Sequence, residues 1–529
     1  MFTGFNALGF DAIGEAPEER WAWGGSSDWL LDWEVRVYAA THEYISHPSD
    51  SPPDQAYLGT LDRQRAFRVD RSILGDGRIG EQVTIGLGEV TLSNIERDYD
   101  FLARDHTPLG QRIEIWAFDR RRPKARGKLL LSGYMVDQQP NRNEITFTLR
   151  DAGHKLDVVA SPNIYAGTGG TEGGDDLKGK SKPRAFGWLL EWSAPLVIPS
   201  SLAYQLNDGP INAVTAAYIR GVAQTFAGNY ANVALMNAAT LSVGQYATCL
   251  AAGWGRIAVA SGAEIGQVTW DLQGDKTGGV FVETSADIVR RLFGATEVSD
   301  PVDLSEASFE TLNDLQPAAI GYGIPVGDTQ TVAAAVARIM AGIGGWCGAK
   351  RSGKFEVRRF DAPAGVPSGY YTKATISDVS LTQMPSELSP PPWRVQVGWA
   401  RIWTPGQNNL AGSVSQTRLS YLAQEVRFAS VEDSRIKSDF PPGHELIEAD
   451  SFFRDEADAL AEAARKLALY GTSRSLYAVK LAQPMFVHEL GHVVNVQFNN
   501  RFDLDEGKTM RIVKLSESSA EGVELTGFV

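Results

Sequence analysis

The chain has 529 residues, of which 43% are hydrophobic and 22% charged, so it can build several globular domains. Its formal net charge of −14 argues against a broad nucleic-acid-binding face, because such a face neutralises phosphates with lysine and arginine. No stretch predicts a transmembrane helix, and the N-terminus lacks the basic and apolar regions of a signal peptide. Cys249 and Cys347 are too few for a disulfide framework; we expect buried free thiols, with one bridge between them as the alternative.

Residues 1–27 predict an N-terminal arm. A short near-repeat begins at Phe5 and again at Phe10, and glycines recur every five residues, which fits an amphipathic arm or hairpin. The arm either covers a neighbouring subunit or frays, and the sequence leaves both open. A cluster of tryptophans follows, typical of a core or of an interface anchor: Trp21, Trp23, Trp29 and Trp33.

Residues 28–160 predict a first all-β domain, a barrel or a sandwich. Alternating and β-branched runs bounded by turn residues predict strands at 33–39, 83–93, 111–118, 129–136 and 144–149. A basic patch falls in a connection between two of these strands: Arg120, Arg121, Arg122, Lys124, Arg126 and Lys128. A solvated hairpin tip is favoured over a contact with an acidic partner.

Residues 161–283 predict a β-rich inserted domain behind a glycine-rich loop. The expected strands are 196–198, 202–206, 213–220, 257–259 and 279–283. The loop contains a formal phosphate-binding match at Gly174, Gly179, Lys180 and Ser181. Such a loop requires a strand before it and a helix after it. Only Gly, Thr and Glu precede this match and Pro183 follows it, so the sequence argues against a nucleotide site.

Residues 284–365 predict an α/β domain. The expected helices are 284–293, capped by Thr284 or Ser285, 308–314 and 331–343. A short extended stretch is expected at 320–322. Residues 346–349 and 354–360 predict a hairpin around the turn 351–353.

Residues 366–529 predict a second β-barrel domain with one helix. Expected strands are 374–381, 394–403, 420–426, 476–481, 493–498, 510–515 and 523–529. Asp455 is the expected N-cap of a helix over 455–470, and Gly471 is its stop. Helical spacing predicts one buried face, formed by Leu460, Ala463, Ala464 and Leu467.

The segment His488-Glu489-Leu490-Gly491-His492 matches the H-E-x-x-H pattern of zinc peptidases. That chemistry places two histidines on one helical face with the glutamate as general base. Here Pro484 precedes the motif and strand-like residues follow it, so we expect a turn leading into a strand. Two strand residues four positions apart lie roughly 13 Å apart, too far to share one zinc ion.

We therefore assign no catalytic, cofactor-binding or metal-binding residue and no cofactor. A zinc-dependent cell-wall hydrolase centred on His488, Glu489 and His492 remains the alternative. The other histidines are scattered along the chain, at 42, 47, 106, 154 and 444. A glycosidase-type carboxylate pair stays open, because its members need not be close in sequence.

Several stretches together resemble one family. They include ILGDGRIGEQVTIGLGEVTLSNIERDYDFL in the first β domain, and in the closing segment DEADALAEAARKLALYGTSRSLYAVKL followed by ELGHVVNVQFNNRFDLDEGKTMRIVKL. In this order they resemble the bacteriophage (siphophage-type) tail tip or baseplate hub proteins, similar in architecture to the trimeric hub of contractile-tail baseplates. The N-terminal arm has no counterpart in the resemblance.

The resemblance implies a mainly β, multidomain fold with smaller α/β parts, in which two tube-like β-barrels carry inserted β and α/β domains. It implies a structural protein of the virion tail tip, assembled in the host cytoplasm, and not an enzyme. Three copies would form a ring that caps the tail tube and opens for DNA ejection. The implied partners are the distal tail protein or tail tube ring, the C-terminus of the tape-measure protein, and central fibre or receptor-binding proteins. A secreted β-rich adhesin is a further reading, which the missing signal peptide disfavours.

Overall fold

The structure is a computed structural model that describes residues 8–13, 37–75, 77–104, 109–118, 121–406, 410–482, 486–499 and 503–529. It consists mainly of antiparallel sheets with a few helices, which confirms the expected mainly β fold with smaller α/β parts. Within these ranges, no helix is both long enough and apolar enough to cross a membrane.

The strands are numbered in chain order. The first part of the chain forms β1 Leu8–Ile13, β2 Val37–Ala40, β3 Tyr44–Ile45, β4 Ala56–Tyr57, β5 Arg68–Leu74, β6 Ile79–Leu87, β7 Glu89–Ser93, β8 Arg112–Ala117, β9 Lys128–Pro140 and β10 Glu144–Arg150. The middle part forms β11 Arg184–Trp192, β12 Leu196–Ile198, β13 Ala203–Gln205, β14 Ile211–Ile219, β15 Val222–Ala223, β16 Thr225–Asn229, β17 Gln245–Cys249, β18 Trp254–Ile257, β19 Val268–Asp275, β20 Gly321–Ile324, β21 Gly345–Ala349 and β22 Phe355–Arg359. The last part forms β23 Tyr370–Tyr371, β24 Ile376–Thr382, β25 Arg394–Trp399, β26 Arg427–Glu432, β27 Glu445–Phe453, β28 Leu476–Leu481, β29 Val493–Val496, β30 Lys508–Ser518 and β31 Gly522–Phe528.

The helices are α1 Asp100–Arg104, α2 Val233–Ala238, α3 Ser285–Phe293, α4 Glu306–Leu315, α5 Val332–Gly342, α6 Gln416–Ala423, α7 Ser434–Asp439 and α8 Glu456–Tyr470. Threonine side chains cap two of them. Thr284 Oγ1 accepts a hydrogen bond from the Asp287 amide at the start of α3, and Thr331 Oγ1 accepts one from the Ala334 amide at the start of α5. Thr284 is therefore the cap of the predicted helix at 284–293.

The first sheet has the order β2-β1-β8-β9-β10-β7. Alternate residues of its strands face the core, as the two-residue period of a strand requires; on β10 these are Ile145, Phe147 and Leu149. The single strand predicted at 83–93 is wrong, since β6 and β7 join different sheets. The break is at Gly88, where a Cβ atom would lie 2.7 Å from the Cβ of Arg68.

The last sheet combines strands from both parts of the chain. In it, β24, β28, β31 and β30 are successive neighbours. The first half of β30 pairs with β29, and its second half pairs with β5, which in turn pairs with β6. Strands near the start of the chain thus complete the sheet built by its end, a pairing that sequence analysis did not anticipate.

Two five-stranded sheets have the orders β15-β14-β19-β11-β20 and β12-β13-β18-β17-β16; all their strands except β20 lie between residues 184 and 275. Trp192 and Trp270 fill one of the two apolar clusters here. Gly187 and Gly321 allow β11 and β20 to approach closely: a Cβ at Gly187 would lie 1.9 Å from the Ile320 carbonyl oxygen, and one at Gly321 would lie 1.7 Å from that of Trp188. Gly187 also has a φ of +62°.

Two further predicted strands are wrong. The strand predicted at 279–283 is absent: a short 3-10 turn spans Thr277–Gly279, and its Gly278 and Gly279 have positive φ angles that interrupt an extended path. Residues 420–426 overlap α6 instead, because the Ser415 hydroxyl accepts a hydrogen bond from the Arg418 amide and starts a helix there. The next strand, β26, begins only at Arg427.

Asp455 and Gly471 occupy the predicted N-cap and stop positions of α8, although the Asp455 side chain makes no capping hydrogen bond. The buried face of the helix is rotated from the predicted one. Ala463 and Leu467 are buried as expected, whereas Leu460 is 45% exposed and Ala464 is exposed. Glu462 and Lys466 are buried in their place. The reason is electrostatic: Lys466 donates to Glu448 at 2.8 Å, and Arg465 donates to Glu462 at 2.9 Å.

Most of the predicted N-terminal arm, all four tryptophans near it and Arg120 lie outside the described residues. Residues 8–13 form β1, which lies between β2 and β8. Arg121, Arg122, Lys124 and Arg126 of the basic patch lie in the connection between β8 and β9, as expected for a hairpin tip, and Lys128 is the first residue of β9. Cys249 and Cys347 are both free; Cys249 is buried and Cys347 is partly buried.

Candidate functional site

The segment His488–His492 forms a turn that leads into β29, as predicted, and not a helix. The predicted separation of its two histidines is wrong. Their ring centroids lie 6.2 Å apart, because the chain turns at Leu490 and Gly491 instead of running extended. Whether this turn binds zinc therefore depends on its ring nitrogens and its surroundings, not on the distance alone.

Both ring nitrogens of His488 are engaged. The Ser368 hydroxyl donates its proton to the Val493 carbonyl at 3.0 Å, so His488 Nδ1 must be the donor in its 3.2 Å contact with Ser368 Oγ. His488 Nε2 is then the acceptor, and the Tyr371 hydroxyl donates to it. Neither nitrogen has a lone pair free for a metal ion.

The surroundings keep both histidines neutral. Burial, with His492 and Arg351 nearby, lowers the pKa of His488 to about 4. Burial and Arg358 lower the pKa of His492 to about 4 as well. Two guanidinium groups this close oppose any further cation, so a Zn²⁺ ion would meet an unfavourable field.

Glu489, the residue that would act as general base, is held by arginines. Arg71 on β5 forms an ion pair with one of its carboxylate oxygens, and the Arg351 backbone amide donates to the other at 3.4 Å. Burial by itself would raise the pKa of Glu489, but Arg71 and Arg351 outweigh it and lower that pKa. A carboxylate engaged in this way is a structural group, not an available base.

Beneath the turn lies a group of four charges, three buried and one (Glu489) partly buried, which we call the junction cluster: Arg71, Arg351, Glu489 and Glu517. Arg351 Nη2 donates to Glu517 at 2.6 Å and to the His488 carbonyl oxygen at 2.7 Å. Arg71 lies 3.8 Å from Glu517. Glu517 is buried, and this burial raises its pKa although Arg351 opposes the shift.

The junction cluster connects distant parts of the chain. Arg71 belongs to β5, Arg351 to the turn between β21 and β22, and Glu517 to β30. The Arg351 carbonyl also accepts a hydrogen bond from the Ser132 amide of β9 at 2.8 Å. Two positive and two negative charges compensate each other here, so removing one would leave an unpaired buried charge.

The formal phosphate-binding match also lacks its required context. Residues 175–179 form a turn after a 3-10 helix at Gly170–Glu172, and the next regular element is β11, a strand. The Ser181 hydroxyl donates to the Asp328 carbonyl at 2.9 Å. The loop therefore packs against the chain itself and has no helix N-terminus for phosphate.

A second group of charges, which no sequence motif predicted, lies where β11, β19 and α6 meet. The Glu191 amide donates to Asp271 at 2.8 Å, and Arg418 of α6 forms an ion pair with the Glu191 carboxylate. Burial raises the pKa of Asp271 to about 6. Glu191 has no exposed surface, so this carboxylate pair offers no access for a glycan and does not suit a glycosidase.

Within the described residues, no group of three or more histidine, cysteine, aspartate or glutamate side chains is placed to hold a metal ion. Nor do the motifs singled out from the sequence combine into a catalytic arrangement. The histidine turn and the junction cluster act as a joint between strands, and their chemistry is that of a structural connection.

Comparisons with solved structures find tail proteins. The chain is similar to a tail protein from Neisseria meningitidis MC58 at 9% identity, covering 88% of this chain and 92% of that one with a TM-score of 0.38. It is similar to a 43 kDa tail protein of prophage MuSo2 from Shewanella oneidensis at 11% identity, covering 90% of this chain and 95% of that one with a TM-score of 0.36. It is also similar to a chain in the virion of a native gene transfer agent particle at 15% identity, covering 66% of this chain and 84% of that one with a TM-score of 0.42. No protein-family model and no curated protein matches the sequence.

Proposed function

We propose that this protein is a structural hub of a phage tail tip or baseplate. Three copies form a ring that caps the tail tube, contacts the distal tail protein and the end of the tape-measure protein, and carries the central fibre or receptor-binding proteins. The ring opens to let DNA pass. The mechanism is packing between subunits followed by a conformational opening, without bond cleavage.

The observation that carries the proposal is the pairing of β30 with both β5 and β29. This pairing joins β5, near the start of the chain, to the strands at its end in one sheet. The junction cluster includes side chains from both β5 and β30. A subunit that transmits force between a tube and a fibre needs such a frame, in which separate parts of the chain move together. The order of motifs that resembles the hub family supports the same conclusion.

The acidic surface fits the passage of DNA. The chain carries 64 acidic and 50 basic side chains, so DNA phosphates would on balance be repelled from it. A ring through which a DNA duplex moves should bind that duplex only weakly. The zinc hydrolase finds no support in the histidine turn, where both nitrogens of His488 and the carboxylate of Glu489 are already engaged.

Light scattering on the purified chain, alone and mixed with the tail tube protein of the same virion, tests the proposal. We expect a mass near three times 57.5 kDa. Zinc content measured on the same sample should stay far below one equivalent per chain. A chain that stays monomeric in both samples would contradict the hub, and one tightly held zinc ion lost in His488→Ala would favour the hydrolase.

A further inference from the structure

A cavity of about 350 Å³ lies between helix α4 and the hairpin of β21 and β22. Four basic side chains line it: Lys350, Arg358, Arg359 and Arg511. Asp361 is its acidic lining residue. A concentration of positive charge is unexpected here, because the chain as a whole carries a net charge of −14.

The carboxylates next to the cavity do not balance these cations. Glu356 accepts a hydrogen bond from Arg358 at 3.0 Å and lies 3.8 Å from Lys350, so one carboxylate serves two cations. Arg359 pairs with Asp361 at 3.2 Å, but Arg465 binds the same carboxylate at 3.0 Å.

Arg511 contributes further positive charge. It donates to the backbone carbonyls of Asp361, Gly491 and Ala362, at 2.7, 2.8 and 3.0 Å, and pairs with no carboxylate among the described residues. Burial and the nearby Arg358 lower its pKa, although arginine remains charged at neutral pH. The cavity wall is thus positively charged and partly withdrawn from water.

Two of the cations have donors to spare. Within the described part of the chain, the terminal nitrogens of Arg358 and the ammonium of Lys350 form no hydrogen bond with the protein. Their side chains are 30% and 28% exposed, so a ligand in the cavity can reach them. Charge-assisted hydrogen bonds from such groups to carboxylates are the strong class of hydrogen bond.

The remaining lining favours a peptide over a bare ion. Leu312, Leu315 and Val357 line the cavity, and Leu315, which is 45% exposed, gives it an apolar side, whereas Leu312 and Val357 are buried. The volume lies in the range of ligand-binding pockets, larger than one small anion requires. An acidic protein segment would supply both carboxylates and apolar side chains.

We propose that this cavity binds an acidic segment of a partner protein, whose carboxylates accept hydrogen bonds from Lys350 and Arg358 while Arg511 supplies positive charge behind them. The proposal goes beyond the hub function and does not depend on the number of copies in the ring. It assigns a docking site to the junction of α4, β22 and β30.

Fluorescence anisotropy with a labelled octaglutamate peptide tests the proposal on the full-length chain at low ionic strength. We expect octaglutamate to bind and octaglutamine not to bind. Lys350→Met should weaken binding about tenfold, the effect of one charge-assisted hydrogen bond. Thr311→Glu should do the same by placing a carboxylate at the exposed edge of the cavity without removing a buried group.

Lys354→Met is the matched control. Lys354 lies in the same turn and is exposed, but it does not line the cavity, so binding should be unchanged. Equal affinity of wild type, Lys350→Met and Thr311→Glu would overturn the proposal. A second result would also overturn the proposal: the peptide fails to bind, while inorganic phosphate raises the melting temperature of wild type but not of Lys350→Met. The site would then hold a small anion.

Discussion

Arg351 and Glu517 form an ion pair of 2.6 Å in which the side chains are only 8% and 1% exposed. The arginine comes from a hairpin turn in the middle of the chain and the glutamate from β30 near its end. With Arg71 and Glu489 they hold the first β region, the hairpin and the last sheet against one another. The consequences of this junction can be measured by substitution.

Removing one charge of the junction cluster should destabilise the protein strongly. Arg71→Met leaves the buried Glu517 and the partly buried Glu489 without this partner, and the free energy of unfolding should fall by about 3–5 kcal/mol in urea denaturation. Arg68→Met is the control on the same strand. Its ion pair with Asp70 is 63% exposed on the arginine side and should contribute less than about 1 kcal/mol. Similar losses for both variants would contradict a special role for the cluster.

The neutral state of His488 should make stability depend on pH. Because its pKa is lowered to about 4 in the folded chain, the unfolded chain takes up a proton first as the pH falls below about 6.5. The contribution of neutral His488 to the free energy of unfolding is therefore fully present above that pH and is lost as the pH falls from about 6.5 to about 4. It should amount to about 2–3 kcal/mol.

The variant His488→Gln isolates this effect, because an amide can also donate to Ser368 and accept from Tyr371 without titrating. Urea denaturation at several pH values between 7 and 4.5 should show a shallower loss of stability for the variant than for wild type. Parallel curves would show that His488 does not titrate with the lowered pKa.

Gly187 should tolerate no side chain. In Gly187→Ala the new methyl group would lie 1.9 Å from the Ile320 carbonyl oxygen and the residue would keep a positive φ, so β11 and β20 must separate. We expect a loss of at least about 3 kcal/mol, or failure to fold. Gly179→Ala is matched in backbone, with a φ of +77°, but has open space around it and should cost only about 1–2 kcal/mol. Thermal melting of the two variants compares them directly, and equal losses would contradict the steric argument.

Helix α8 offers a test of its buried face. Leu467→Ala removes a buried side chain and should cost about 2–4 kcal/mol, whereas Leu460→Ala removes one that is 45% exposed and should cost less than about 1 kcal/mol. Both substitutions keep a good helix former, so propensity cancels. Chemical denaturation measures both losses of unfolding free energy. Equal losses would indicate that Leu460 is buried, as the sequence predicts.

Local features of the fold followed from the sequence. The alternation of Ile145, Phe147 and Leu149 predicted a strand with one buried side. Thr331 predicted a helix start, and Gly471 a helix stop. For the histidine turn, the residues after it predicted a strand and thereby excluded the helix that a zinc peptidase needs. These signals succeed because they act over a few residues, through hydrogen bonds to the nearby backbone and the period of side chains.

Other features depended on tertiary contacts. The sequence predicts a strand at 420–426, whereas α6 spans Gln416–Ala423. The residues shared by both suit either element, and only the packing of the helix and its cap at Ser415 decide. The exposed position of Leu460 arises because Glu462 and Lys466 find partners in the interior. No local pattern predicts that charged residues will be buried.

The sequence by itself determined the mainly β class, the order and type of most elements, and the absence of a helical context around His488 and His492. Only the tertiary structure decided which strands meet and which charges are buried. Ser516 and Asp70, which are hydrogen-bonded partners, lie 446 positions apart in the chain. Such a pairing forms because distant segments bury their apolar side chains together and neutralise each other's buried charges. Neither effect can be seen in a local stretch of residues.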